Sequence, residues 1–123
     1  MINPVKLKKS FFYALKGLHY TFKREQNFRI EVFFALFIIV LMFILGLNHS
    51  EQIVVLLLIT FILSLEMFNT TIERFLDVLK PRLDIHVKVL KDIMAGVVFL
   101  ASFGSIVVGV MIFYPYIFEL ISK

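Results

Sequence analysis

Residues 53–77 read IVVLLLITFILSLEMFNTTIERFLD, and two features of this stretch decide the architecture. The 24 residues from Ile53 to Leu76 are apolar except near their C-terminal end, long enough for a helix to cross the ~30 Å hydrocarbon layer of a bilayer. Within that apolar run, Glu66, Asn69, Glu73 and Asp77 fall at i, i+3, i+7 and i+11. At about 100° per residue they stack on one side of a helix, within roughly 20° to 60° of each other. Phe68, Phe75 and their neighbours take the other side. A carboxylate in hydrocarbon costs at least about 2.5 kcal/mol. Glu66 lies roughly 10 Å along the helix from Glu73, so with Glu73 at the interface Glu66 is inside it. Two readings stand: interhelical hydrogen-bonded carboxylates that serve packing, or a functional face.

Outward from this stretch, two more segments are long enough to span. Val32 to Ser50 is a charge-free run of 19 residues, and Ile93 to Phe118 is a run of 26. The chain has 123 residues, of which 60% are hydrophobic and 15 are Phe. A soluble domain of this size has too little interior for so much apolar surface. The expected fold class is therefore all-α integral membrane, with three transmembrane helices (about 32–50, 53–76 and 93–118) in one domain over residues 1–123. The basic N-terminal region is not apolar enough for a cleaved signal peptide, so the first span is expected to be retained.

The chain has no cysteine, which excludes disulfides, thiolate metal sites and cysteine nucleophiles. The net charge of +4 is unevenly spread: of 13 Lys and Arg, 12 lie before Val32 or between Arg74 and Lys91. By the positive-inside rule, the N-terminus and the second loop face the cytoplasm, and Asn48–Glu51 and the C-terminus face outward. The basic residues thus read as a topology and lipid-headgroup signal, and nucleic acid is not an expected partner.

Residues 4–29 read as an amphipathic surface helix. Phe11, Leu15, Leu18 and Phe22 share one face, and Lys9, Lys16 and Lys23 recur opposite. The basic face suits water and headgroups; the apolar face suits either the membrane or the spanning bundle. Glu25 and then Arg29 continue the apolar stripe, where the pattern calls for apolar residues. Either the helix frays near Gln26 and both are solvated, or both face the bundle. In the third span, Ala101, Ser105 and Gly109 permit close helix approach. Pro115 is expected to end that helix, and Tyr114 and Tyr116 fit an interfacial aromatic belt. Pro81 is expected to separate the second span from the next helix.

Past Pro81 comes Lys91-Asp92-Ile93-Met94-Ala95-Gly96, at the cytoplasmic start of the third span. A Lys–Asp pair there holds an anion and orients a donor, or is ordinary capping and snorkelling. Ala95 and Gly96 leave room for a close neighbour or ligand. Clustered carboxylates suit a divalent cation, Mg²⁺ above all, and a lysine suits phosphates. Together they point to phosphoryl transfer at the inner face of a membrane. The five scattered glycines form no phosphate-binding loop of the familiar kinds, so any nucleotide site is built without that cradle.

At these residues the chain resembles the bacterial integral-membrane diacylglycerol kinase and undecaprenol kinase family. Four blocks carry the resemblance: residues 10–18 (SFFYALKGL), 25–31 (EQNFRIE), 66–73 (EMFNTTIE, running on to Asp77) and 91–96 (KDIMAG). Their order and intervals match over essentially the whole chain, and the third block is the most specific. The resemblance implies a homotrimer, each subunit with three spans and a surface helix. It implies transfer of the ATP γ-phosphoryl to the hydroxyl of a membrane lipid, with Mg²⁺, on the cytoplasmic side of the bacterial cell membrane. It assigns Glu66 as general base and Glu25 and Glu73 as metal ligands that also hold the nucleotide. Tyr13, Lys91 and Asp92 become nucleotide contacts, and Asn69 and Arg29 join Glu66 around the lipid substrate.

The chain departs from the family in the 78–90 loop. There Arg82-Leu83-Asp84, with His86 displaced, stands where a Glu-Tyr-His is common, which leaves nucleotide contacts from this loop open. The Asn-Phe-Arg block and the Pro81 loop look more like the Gram-positive branch, which favours undecaprenol over diacylglycerol as acceptor. The competing function is a non-catalytic oligomeric membrane protein in which Glu66 and Glu73 relay protons or cations.

Overall fold

A computed structural model describes residues 1–79 and 84–123. The described residues form four helices and no strand: α1 (Pro4–Arg24), α2 (Gln26–Ile44), α3 (His49–Leu79) and α4 (Asp84–Ile121). The last three contain stretches long and apolar enough to cross a membrane. The break expected at Pro81, and the basic stretch around it, lie outside the described residues.

Local chemistry sets each boundary. Asn3 caps α1, its side chain accepting from the amides of Val5 (3.0 Å) and Lys6 (3.3 Å), and Pro4 takes the first helical position. The helix expected over about 4–29 ends instead at Arg24. Glu25 is extended (φ −104°, ψ 116°) and α2 starts at Gln26, so the chain makes an elbow. Arg29 holds it: its Nη1 donates to the carbonyls of Phe22 (3.0 Å) and Lys23 (2.8 Å) at the end of α1, where carbonyls lack intrahelical partners and the dipole favours a cation.

The first span was expected over about 32–50. The helix covers Gln26–Ile44, because Arg29 and Glu31 are helical although they interrupt the apolar run. It stops where Gly46 adopts φ 67°. The amides of Gly46 and Leu47 donate back to the carbonyls of Phe43 and Met42, a Schellman arrangement that needs a left-handed residue. Asn48 and Glu51 then cap α3 reciprocally, each side chain accepting from the other's amide (2.9 and 3.1 Å).

α3 packs against both α2 and α4, and α1 reaches the bundle through α2. The tight core is at one end, around Met42, Leu47, Val55 and Phe113. There the Tyr116 hydroxyl bonds to the Glu51 carboxylate, fastening α4 to the start of α3. α4 runs through Pro115 to Ile121 and does not end there as expected. Proline removes only one helical hydrogen bond, and the apolar residues beyond it continue the helix. Gly109 has nothing within 4 Å of where a Cβ would sit, so at Gly109 the small-residue stripe brings no helix of this chain close. Most large apolar side chains, including Phe33, Phe37, Phe99 and Phe103, are exposed, as lipid or a second subunit requires. The apolar face of α1 is also uncovered: Phe11, Leu15, Leu18 and Phe22 are exposed, with only Thr21 of α1 buried.

Candidate active site

At the end of the bundle away from that core, α3 carries its polar stripe. Glu66 is 3% exposed, roughly 26 Å along α3 from its start at 1.5 Å per residue. A buried carboxylate needs polar company. Asn69, one turn on, is near enough to stabilise the Glu66 carboxylate, while the like charges of Glu73 and Glu25 work against it. Thr70, also buried, returns its hydroxyl to the Glu66 carbonyl (3.0 Å), so the helix around Glu66 satisfies its own polar groups.

The elbow brings Glu25 to α3. Its carboxylate takes a hydrogen bond from Arg74 Nη2 at 2.9 Å. Glu25 is thus half-buried and turned toward α3, the second of the two readings of its place in the sequence, although the elbow and not a continued α1 puts it there. From α4, Lys91 Nζ reaches Asp77 Oδ1 at 2.7 Å. Lys91 does not pair with its neighbour Asp92, which is exposed; adjacent residues on a helix point about 100° apart. Asp77 is the last member of the α3 stripe, one turn beyond Glu73.

The expected set therefore divides. Glu25, Glu66, Asn69 and Glu73 come together, with Lys91 joined to the same stripe through Asp77. Arg29 lies at the elbow, its Nη1 on backbone carbonyls. Tyr13 is exposed, its ring beside Phe12, about 18 Å along α1 from Glu25.

Glu31 was not among the expected site residues. The charge of Glu66 acts on it, and its Oε2 is buried without a hydrogen-bond partner among the described residues. It stands at a cavity of about 520 Å³ between α2, α3 and α4, whose other walls include Ala35, Ile38, Ile62, Ser105 and Phe113. The signal for Glu31 is in the sequence: it is the last charge before the apolar run of α2, six residues after Glu25.

Among the described residues, no three His, Asp or Glu side chains converge to hold a metal ion by themselves. Glu25 and Glu73 nonetheless fit Mg²⁺, which binds through one or two carboxylates and completes its shell with substrate phosphates and water. In the structure the cation on Glu25 is the Arg74 guanidinium.

Comparison with known proteins places the whole chain. A sequence model of the family described as prokaryotic diacylglycerol kinase matches residues 12–113. The chain belongs to this family. Membership makes it a lipid kinase. It is 33% identical over 107 residues to the undecaprenol kinase of Bacillus subtilis (strain 168), covering 87% of each chain. It is 32% identical over 108 residues to a diacylglycerol kinase of Synechocystis, covering 86% of this chain and 61% of that one. A diacylglycerol kinase of Haemophilus influenzae matches at 37% over 65 residues, about half of each chain. No solved structure gives a significant match.

Proposed function

We propose that this lipid kinase transfers the γ-phosphoryl of ATP, with Mg²⁺, to the hydroxyl of undecaprenol, with diacylglycerol as the alternative acceptor. The observation that carries the reading is the buried Glu66 on a helix long and apolar enough to span a membrane, with Asn69 one turn on and the charges of Glu25 and Glu73 bearing on it. Undecaprenol is favoured because the B. subtilis relative that bears its name aligns over 87% of both chains. The diacylglycerol kinases align over a smaller share of their own length.

In this reading the lipid hydroxyl lies at Glu66, which accepts its proton. The hydroxyl oxygen forms a bond to the γ-phosphorus as the bond to the β,γ-bridging oxygen breaks, leaving ADP and a lipid phosphate. Glu25 and Glu73 would hold Mg²⁺, which would supply positive charge toward the phosphates of the nucleotide. Lys91 adds a point charge to the phosphates, and Asn69 keeps Glu66 aimed. Burial of Glu66 keeps water from competing with the lipid hydroxyl. Tyr13 and Asp92 contact the nucleotide, Tyr13 from a neighbouring subunit or after α1 moves. The chain works as a homotrimer in the bacterial cell membrane, with the N-terminus and the site on the cytoplasmic side, where 12 of its 13 Lys and Arg cluster.

The test is an acceptor assay. Purified protein in detergent receives labelled ATP, Mg²⁺ and each lipid alcohol in turn. Undecaprenyl phosphate should form fastest. Faster phosphorylation of diacylglycerol would reverse the acceptor order, and no transfer to any lipid by intact protein would overturn the reading.

A further inference from the structure

Among the described residues there are two ion pairs, Arg74–Glu25 and Lys91–Asp77. Both are anchored on α3, by residues three apart and hence on one helix face. In each, the other partner is a residue read above as meeting the metal or the nucleotide. Arg74 puts a cation on Glu25, where a metal is wanted. Asp77 puts an anion on Lys91, where a phosphate is wanted. α3 thus carries, side by side, one internal substitute for each half of a metal–phosphate pair.

We propose that Arg74 is a phosphate-contacting residue, pairing with Glu25 in the structure and turning onto a phosphate oxygen when a magnesium nucleotide binds. The inference rests on the kinase reading and adds a residue to it. Charge matching supports the exchange. A magnesium triphosphate brings both a cation and anionic oxygens, so Glu25 passes from guanidinium to metal while the guanidinium passes from carboxylate to phosphate. Neither partner of the Arg74–Glu25 pair is stranded by this exchange, which matters because a lone charge at a partly buried site is costly. The chemistry of the side chain supports it as well. A guanidinium offers five N–H donors in a fork that fits two phosphate oxygens, and the pair with Glu25 uses Nη2 alone. The Arg74 side chain is 54% exposed and that of Glu25 22%, so the arginine is the partner with room to swing. Its backbone is fixed in α3 immediately after Glu73, the second carboxylate read as a metal ligand.

A merely competitive role, in which Arg74 blocks Glu25 against the metal, predicts the opposite result on substitution, so binding measurements decide. Wild type, R74Q, R74K and the exposed-lysine control K6A are titrated in detergent with a non-hydrolysable ATP analogue plus Mg²⁺, and separately with Mn²⁺ alone. R74Q should bind the nucleotide at least about tenfold more weakly, the loss expected of a charge-assisted hydrogen bond. Its affinity for Mn²⁺ alone should be unchanged or higher, R74K should recover much of the nucleotide affinity, and K6A should match wild type. Nucleotide binding to R74Q as tight as wild type, or tighter, overturns the proposal. A second measurement needs no folded glutamine variant: in wild type, the Arg74 guanidinium NMR resonance, assigned by its loss in R74K, must move on adding Mg²⁺ and nucleotide. An unmoved resonance also overturns it. If wild type binds no nucleotide at all, the kinase reading itself fails; if it binds and R74Q binds equally, only the role of Arg74 falls.

Discussion

Replacing Arg29 by methionine should loosen the elbow between α1 and α2. Methionine keeps most of the apolar stem and helix propensity, so what is removed is the guanidinium and its bonds to the carbonyls of Phe22 (3.0 Å) and Lys23 (2.8 Å). Buried charge-assisted hydrogen bonds contribute roughly 1.5–3 kcal/mol each; at this exposed site about half of the lower figure is reasonable, so the two contribute roughly 1.5 kcal/mol. The interaction of a cation with the C-terminal dipole of α1 adds about 0.5 kcal/mol. The total of about 2 kcal/mol corresponds to roughly a 30-fold change in the equilibrium between closed and open elbow. The lack of cysteine makes the measurement direct. Spin labels at Lys9→Cys on α1 and Phe75→Cys on α3, in chains diluted with unlabelled protein, report the distance between the helices by pulsed electron resonance. With Arg29 present, one narrow distance is expected. With Arg29→Met, a second, broader population should appear, and affinity for Mg²⁺ with nucleotide should fall, because Glu25 is presented to α3 less of the time. An unchanged distance distribution, with impaired use of the lipid alone, would refute the reasoning and give Arg29 to the substrate.

Gly46→Ala should destabilise the chain by about 1 kcal/mol, because φ 67° disfavours a side chain while the added Cβ meets only open space. Gly46→Asn should cost less, and equal unfolding midpoints for all three in a detergent titration would contradict the strain argument. Glu73→Gln should weaken binding of Mg²⁺ with nucleotide by about tenfold or more, from loss of a charged ligand, and raise the Mg²⁺ concentration for half-maximal turnover; an unchanged Mg²⁺ dependence would remove Glu73 from the metal site.

The spanning helices were legible because apolar length is a direct signal, and the α3 stripe because helical spacing places Glu66, Asn69 and Glu73 on one face. Helix ends were less so. Arg29 and Glu31 interrupt the apolar run without interrupting the helix, which shifted the first span. The elbow at Glu25 left a trace, a carboxylate on an apolar stripe, but its cause is tertiary: Arg29 clasping carbonyls six and seven residues back, and Arg74 arriving from 49 positions away. Arg74 was passed over because it follows Glu73 and so points off the stripe, yet its side chain is long enough to reach Glu25. The pairing of Lys91 with Asp77 was hidden by adjacency, since Asp92 is next in sequence but not next in space. Glu31 reads in sequence as one more carboxylate near a helix start; the burial of its Oε2 is a property of how α2 packs on α3.

The central claim is that Glu66 takes the proton of the lipid hydroxyl, and Glu66→Gln tests it most directly. The change keeps size and hydrogen bonding but removes the base. Turnover with Mg²⁺, ATP and undecaprenol should fall by about 10²- to 10⁴-fold, the range for a general base, while affinity for a non-hydrolysable nucleotide stays within about threefold. Turnover near that of wild type, with nucleotide binding intact, would contradict the account.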